Sequence, residues 1–191
     1  MKQVFVFFFC LLSFISKGQE LEPLKEIELA DFTNGNLNLE QGWSVSIGPD
    51  PEWMFYLVEF QRFNQVKLVD SVELYVYEFS FRLLQHPSKD VLVVMVEVAF
   101  EHLSYYPVYL IQQDAIRKIG NFNIRIACDE YNGWHYPLDD INVKGNNARI
   151  EFSFGQAVIL LDRKYFPKFD KNEIRFVFDF TGEKLRIETD P

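Results

Sequence analysis

The sequence has little of what enzymes and disulfide-stabilised domains commonly use. It has two cysteines and three histidines in 191 residues, and no histidine stands at a short metal-ligand spacing from another. The phosphate-binding patterns GxxxxGK[ST] and GxGxxG are missing, as are the serine-hydrolase pattern GxSxG and the zinc pattern HExxH. The sequence therefore predicts no cofactor and no catalytic site that a short motif would define.

Basic residues are also in deficit. The chain has 19 Lys and Arg against 28 Asp and Glu, which gives a net charge of −9. Because phosphate backbones attract the opposite sign, this balance argues against nucleic acid as a partner. The hydrophobic fraction of 48% is high enough to build a core, so the chain is expected to be globular. Aromatic residues are abundant: they make up 17% of the chain, and 20 of them are Phe.

The first 19 residues have the three-part form of a secretory signal. A short basic start, Met1-Lys2-Gln3, precedes an apolar run from Val4 to Ile15, and polar residues follow it. The apolar run is too short to span a bilayer core of about 30 Å. We therefore expect residues 1–19 to be removed on export to the periplasm or the medium. Residues 20–191 then form a single β-rich domain with no membrane span.

Removal of this signal leaves one cysteine. Cys10 lies within the apolar run and is lost with it, so Cys128 has no partner for an internal disulfide. The mature domain is expected to be held together by core packing, with Cys128 as a small buried hydrophobic residue.

Alternation of apolar and polar residues dominates the rest of the chain. The run from Leu37 to Ile47 places apolar residues at odd positions, with Gly42 as an expected bulge. The continuous apolar run Val91–Val96 indicates a strand buried on both faces. Strands at regular spacing without a 20–50-residue repeat predict an all-β fold, mainly an antiparallel β-sandwich or jelly roll, with at most one or two short helices. A closed β-barrel is the alternative. The remaining alternating runs are Met54–Phe60, Val72–Leu83, Phe122–Ile126, Ile150–Phe154, Ile174–Phe180 and Leu185–Ile187.

Three segments carry other local signals. Apolar residues at spacings of three and four, with a proline before them and a glycine behind, favour a helix of about three turns. These residues are Pro107, Val108, Ile111, Ala115, Ile119 and Gly120. The alternative is a strand at Val108–Ile111 followed by a turn. The acidic segment Leu24–Ala30 predicts a short turn of helix, and Thr181–Lys184 predicts a closing hairpin.

The densest group of aromatic and hydrogen-bonding residues is the segment Asp129–Asn142, between two strand patterns. Loops on rigid scaffolds often carry binding residues. Aromatic rings can stack on a sugar or hold an apolar ligand, while amides and carboxylates orient hydroxyl groups. The alternative is a loop that folds its own aromatic side chains over the sandwich. The candidate ligand-binding residues are Tyr131, Trp134, His135, Tyr136 and Asn142.

Carboxylates in the same segment point to two further chemistries. Asp129, Asp139 and Asp140 supply the oxygen ligands that calcium takes, although the spacing is not that of an EF-hand. His135 lies among these acids, and a histidine beside carboxylates can serve in acid–base catalysis, but the sequence indicates no nucleophile beside it.

A second candidate segment is Gly42–Trp53, where Gly42-Trp43 leads into a strand. Over about a dozen residues it resembles the openings of jelly-roll carbohydrate-binding modules and of bacterial extracellular sensor modules. The resemblance carries over no catalytic or binding residue. Because a tryptophan at a strand start usually fills a core, Trp43 is expected to be buried.

Together these observations predict an exported, non-enzymatic binding or interaction module. Its expected partner is an unknown small ligand, a saccharide or another envelope protein. The alternative is a small secreted hydrolase whose site is assembled from residues distant in sequence. That reading would place His102 or His135 beside an acid and a serine in one cleft.

Overall fold

The computed structural model describes residues 20–28, 36–49, 56–72, 78–100, 103–127, 136–161, 165 and 167–190. Short 3-10 turns occur at Glu40–Gly42 and Leu138–Asp140. Within these ranges, no helix is long and apolar enough to cross a membrane. The strands are β1 (Glu22–Pro23), β2 (Lys25–Ile27), β3 (Asn36–Asn38), β4 (Trp43–Pro49), β5 (Tyr56–Arg62), β6 (Gln65–Val72), β7 (Glu78–Gln85), β8 (Val91–Phe100), β9 (Leu103–Gln112), β10 (Ala115–Phe122), β11 (Ile124–Ile126), β12 (Ile141–Gly145), β13 (Arg149–Phe154), β14 (Val158–Leu160), β15 (Lys168–Phe169), β16 (Ile174–Asp179) and β17 (Arg186–Thr189).

Antiparallel pairing joins these strands into four sheets. The central sheet has the order β10-β9-β8-β7-β2, and the front sheet has the order β3-β4-β5-β6. The back sheet has the order β1-β12-β13-β16-β17, and a small sheet joins β11, β14 and β15. The prediction of an all-β, mainly antiparallel sandwich is confirmed, and none of the four sheets described closes into a barrel.

The central sheet is buried on both faces. Successive residues of β8 alternate between two separate cores: Val93 packs in the back core, whereas Leu92 and Val94 pack in the front core. Because side chains alternate across a strand, a continuous apolar run is what a strand between two cores requires. The run Val91–Val96 is buried throughout, as its sequence predicted. The fold is therefore a stack of three β layers.

Aromatic side chains fill much of the back core. Phe122 lies at the centre of three ring pairs, with ring centroids 5.1 Å from Phe152, 6.1 Å from Phe154 and 4.9 Å from Phe176. These tilted and edge-on arrangements are the ones that aromatic pairs favour, and each adds about 0.5–1.5 kcal/mol beyond its buried area. Five of the 20 phenylalanines of the sequence are buried in this core.

A polar cluster joins the front sheet to the central sheet. The carboxylate of Asp70 on β6 accepts hydrogen bonds from the Tyr109 hydroxyl at 2.7 Å and the Lys118 ammonium at 2.6 Å. Lys118 also donates to the Tyr105 hydroxyl at 3.0 Å. Burial raises the pKa of Tyr109 far above its ordinary value, and the Asp70 carboxylate adds to the shift, so its hydroxyl stays a donor. Burial alone would lower the pKa of Lys118, but the hydrogen bonds to Asp70 and Tyr105 leave it raised.

His86 ties the turn between β7 and β8 to the turn after β12. Its Nδ1 accepts a hydrogen bond from the Ser88 amide at 3.2 Å, which assigns the proton to Nε2, 3.1 Å from the Asn146 carbonyl oxygen. The ring also packs edge-on against Phe180. Burial lowers the pKa of His86 and so does Lys89, while the hydrogen bond to Asn146 and the charge of Glu22 oppose the shift. The neutral ring is therefore the form that fits.

We expect the stability of the protein to fall as the pH drops below about 6.5, in part because of His86. In the unfolded chain His86 takes up a proton near that pH, whereas the folded chain resists protonation because a proton on Nδ1 would face the Ser88 amide. The unfolded state then binds more protons, which favours unfolding. Urea unfolding at pH 7, 6 and 5 measures the slope. H86Q should show a smaller loss over the same range, and equal slopes would contradict the assignment.

Three local predictions were wrong. The predicted helix through Val108–Ile119 is instead two strands, β9 and β10, joined by a tight turn at Gln113-Asp114. The alternative of a strand at Val108–Ile111 followed by a turn is therefore confirmed. The predicted helical turn at Leu24–Ala30 is strand β2 in its described part, paired with β7. The single strand expected from Leu37 to Ile47 is two antiparallel strands, because Gln41 and Gly42 have positive φ values of 60° and 77° and reverse the chain.

The remaining local predictions have mixed outcomes. Trp43 is buried in the front core, as predicted. The hairpin at Thr181–Lys184 is confirmed, since β16 and β17 pair on either side of it. The signal at residues 1–19, Cys128 and His102 all lie outside the described residues.

Candidate functional site

The segment that the sequence singled out is described only in its second half. Asp129, Tyr131, Trp134 and His135 lie outside the described residues. The other four residues of the two candidate sets are described, and they do not come together as one site. They are Tyr136, Asp139, Asp140 and Asn142.

Tyr136 lies inside the back core rather than at a surface. Its ring is fully buried, with its centroid 5.3 Å from that of Phe154. Its amide donates to the Tyr106 hydroxyl at 2.6 Å, and its own hydroxyl donates to the Asp140 carbonyl oxygen at 3.2 Å. Burial raises the pKa of Tyr136 against the opposing contacts of Gln156 and Gly155. The ring therefore anchors the segment and offers no surface on which a ligand could stack.

The polar members of the segment differ in exposure: Asp139 and Asn142 are exposed, and Asp140 is partly buried. Asn142 is exposed on β12, opposite Ser153, while Asp139 and Asp140 lie in the 3-10 turn before it. Asp140 accepts a hydrogen bond from Gln156. Among the described residues, no three His, Cys, Asp or Glu side chains gather as metal ligands. The calcium site stays a prediction, because Asp129 is not described.

Arg82 on β7 holds this turn against the central sheet. Its guanidinium donates to the carbonyl oxygens of Leu138 at 2.9 Å and Ile141 at 2.5 Å, and it also pairs with Glu26 at 3.2 Å. A cavity of about 490 Å³ lies beside it, lined by Glu26, Ile27, Glu28, Phe81, Arg82 and Leu83. The cation that lines this cavity is Arg82, and it already has three partners. Its role is therefore to hold the turn against the sheet.

A different part of the molecule gathers features of a binding site. Four turns meet where the front and central sheets end, and we call this region the turn end. The turns are Glu40–Gly42, Phe63-Asn64, residues 86–90 and Gln113-Asp114. Gln41 donates to the Asp90 carboxylate at 3.2 Å, and the Trp43 indole donates to the Gln113 carbonyl oxygen at 3.3 Å. These contacts hold the turns of two different sheets in one place.

The backbone of the turn end is rich in positive φ angles. Seven described residues have positive φ, and five of them lie in these turns: Gln41, Gly42, Phe63, Asn64 and Gln113. Such residues typically cost 1–3 kcal/mol when they are not glycine, and they cluster at ligand clamps and switch regions. The strain therefore marks this end of the fold as a candidate site.

Phe63 is the most unusual residue of the turn end. It is the first residue of a two-residue hairpin turn between β5 and β6, with φ 48°, and the next residue, Asn64, has φ 62°. Turns of this type favour Asn, Asp or Gly, and a bulky residue with positive φ is an outlier. Phe63 is nevertheless 71% exposed. The chain thus exposes a large aromatic ring to solvent at a backbone conformation that bulky residues rarely adopt.

Neighbouring residues hold the Phe63 ring in place. The Phe63 amide donates to the Gly42 carbonyl oxygen at 2.9 Å, and a Cβ added at Gly42 would overlap the ring. Gly42 is therefore needed both for its positive φ and for the close approach of the ring.

Four large hydrophobic side chains are exposed in the described ranges, and three of them are on this one hairpin: Phe63, Val66 and Val69.

Arg62 lies between two aromatic rings at the base of the turn. Its guanidinium carbon is 5.7 Å from the centre of the Trp43 ring and 5.2 Å from that of Phe63, and it pairs with Asp114. The Arg62 side chain is only 16% exposed, whereas that of Asp114 is 85% exposed. The Arg62 Nε is buried and makes no hydrogen bond with any described residue. A largely buried guanidinium thus has a counter-ion that is open to solvent.

These residues border a cleft of about 240 Å³, lined by Arg62, Phe63, Gln65, Lys67 and Asp114. Phe60 pairs with Leu68 and Gln61 pairs with Val66, so Lys67 is the extra residue of a β-bulge in β6. Bulges often redirect a side chain beside a functional site. Here the lysine at the bulge lines the same cleft as Arg62 and the exposed ring.

The sequence contains one signal for this site, in the position of Phe63 relative to the alternation of β5. Val58 and Phe60 occupy the inward positions of β5, so Phe63 falls at an outward one. When an aromatic residue falls at an outward position of the alternation and directly precedes an asparagine, it indicates an exposed ring at a turn. Comparison with protein families, with curated proteins and with solved structures found no match to this chain.

Proposed function

We propose that the chain is an exported, non-enzymatic binding module that engages a saccharide at the turn end. Export rests on the predicted signal at residues 1–19. The observation that supports binding is the exposed ring of Phe63, held in a left-handed turn beside a polar cleft.

A saccharide suits this combination of groups. The face of a pyranose ring that carries C–H bonds packs against an aromatic ring, which buries apolar area with little loss of side-chain entropy. The Gln65 amide and the charged groups of the cleft can then orient sugar hydroxyl groups. All of these groups except Asp114 belong to the β5–β6 hairpin, and Asp114 lies in the turn between β9 and β10, so strands hold the cleft and little ordering is required on binding.

We expect F63N to weaken this binding at least tenfold. Purified wild-type protein is applied to an array of neutral and acidic glycans, beside F63N and Y165N. Tyr165 is an exposed aromatic residue outside the turn end, so Y165N controls for the loss of a surface ring. Truncation of a central aromatic contact typically weakens binding by tenfold or more. F63N should lose at least that factor, while Y165N should bind as the wild type does.

Three results would contradict the proposal. The first is that no glycan binds to the wild type, and the second is that F63N binds as tightly as the wild type. The third is cleavage of a bound glycan during the incubation, detected by mass spectrometry, which would identify a hydrolase.

A further inference from the structure

We infer that the cleft beneath Phe63 selects anionic saccharides, with Arg62 and Lys67 as the residues that recognise the negative group. This inference rests on the proposed function and names the class of sugar that the same site takes. It depends on three observations: the sign of the charge in the cleft, the bulge at Lys67 and the exposed counter-ion of Arg62.

The charge of the cleft is opposite to that of the whole chain. The chain carries a net charge of −9, yet the cleft has two cations and one anion among its five lining residues. At physiological ionic strength, charges farther away than about 8 Å are largely screened, so a ligand in the cleft responds mainly to the local groups. The charged groups that line the cleft therefore favour an anionic ligand.

Lys67 is the extra residue of the bulge in β6 and lines the cleft. Its ammonium group makes a hydrogen bond of 3.3 Å to the neutral amide oxygen of Gln65, which lines the same cleft. A second cation thus lies beside Arg62 and Phe63.

Arg62 is suited to receive a second anion. Burying a guanidinium is unfavourable unless it is well paired, and here the paired carboxylate of Asp114 is almost fully exposed. An acidic group on a ligand can approach from the cleft and share or replace Asp114 as the counter-ion. The two aromatic rings hold the guanidinium in position for this exchange.

The test compares acidic oligosaccharides with their neutral counterparts by calorimetry. Oligomers of galacturonate, glucuronate and mannuronate are each measured beside the carboxyl-reduced form, and a sulfated galactose oligomer is measured beside unsulfated galactose oligomer. We expect at least one acidic oligomer to bind tenfold or more tightly than its neutral counterpart. The uronate and sulfate arms distinguish the two sources of negative charge.

Three variants assign the preference to the cleft. K67Q should weaken binding of the acidic oligomer at least fivefold and leave binding of its neutral counterpart unchanged. D114N removes the competing carboxylate and should strengthen acidic binding at least twofold. K171Q removes one charge from an exposed lysine elsewhere and should have no effect.

The outcomes separate this inference from the proposed function. If neutral oligomers bind as tightly as acidic ones, or if K171Q weakens binding as much as K67Q, selection by the cleft is wrong while saccharide binding stands. Weaker acidic binding by D114N would also contradict it. If no saccharide binds at all, the proposed function itself fails.

Discussion

Replacement of Trp43 by alanine is expected to lower the free energy of unfolding by about 3–5 kcal/mol. Trp43 is fully buried in the front core, and truncations of large aromatic residues in cores have effects of this size because a cavity remains. The variant also removes the hydrogen bond from the indole to the Gln113 carbonyl oxygen and one of the two rings that hold Arg62. Urea unfolding followed by circular dichroism measures the loss.

Two further variants calibrate this result. W43F retains most of the packing and should lose less than W43A, while V69A alters an exposed residue of the same sheet and should change stability by less than about 0.5 kcal/mol. A loss of under 1 kcal/mol in W43A would contradict the description of Trp43 as a core residue that holds the turn end together.

Asp70→Ala is expected to lower the free energy of unfolding by about 2–3 kcal/mol. The substitution leaves the buried Tyr109 hydroxyl without its acceptor and leaves Lys118 without its counter-ion. Removing one partner of a fully buried ion pair typically costs 3–5 kcal/mol. The Asp70 and Lys118 side chains are 18% and 26% exposed, so water recovers part of that loss.

A double-mutant cycle tests the cause of this effect. Y109F removes the hydroxyl that D70A leaves unpaired, so D70A should be less destabilising in the Y109F background than in the wild type. E59A, at a partly exposed residue on the neighbouring strand β5, should have a small effect of its own. Additive effects of D70A and Y109F would show that the hydrogen bond does not couple the two sheets.

Strand alternation in the sequence predicted most of the fold, because the period of a strand is set by local geometry. Alternation on either side of the turn predicts the hairpin at Thr181–Lys184, which is confirmed. The buried strand at Val91–Val96 follows instead from its continuous apolar run. The helix predicted across Val108–Ile119 failed because β9 is buried on both faces, which erases alternation. A proline at position 107 favours a helix start in the sequence, but in the structure Pro107 interrupts the ladder between β8 and β9, where pairing passes from Met95↔Val108 to Val98↔Tyr105.

The third layer of the fold could not be predicted from pattern alone. A run of apolar residues shows that a strand is buried on both faces, but it does not show which sheets cover it. That depends on long-range pairing, such as β1 with β12 and β2 with β7, which brings the start of the chain to two different sheets. Local sequence contains no signal for pairings of this kind.

The predicted site at Asp129–Asn142 is untested at the residues outside the described ranges. The density of aromatic residues favours this segment, yet Tyr136 packs in the core, because an aromatic side chain serves packing and binding equally well. The turn end was missed because its parts lie far apart in the sequence. Arg62 and Asp114 meet only after the front and central sheets have packed.

The free energy of unfolding of F63N tests the central claim most directly, since it requires no knowledge of the ligand. If Phe63 is kept for binding, asparagine should relieve the left-handed turn, and F63N should be as stable as the wild type or more stable, by up to about 1 kcal/mol. If Phe63 instead supports the fold, the same substitution should lower stability by about 2 kcal/mol or more. Urea unfolding of the two proteins under identical conditions gives the answer: unchanged or increased stability agrees with a ring held for a ligand, and a loss of that size contradicts it.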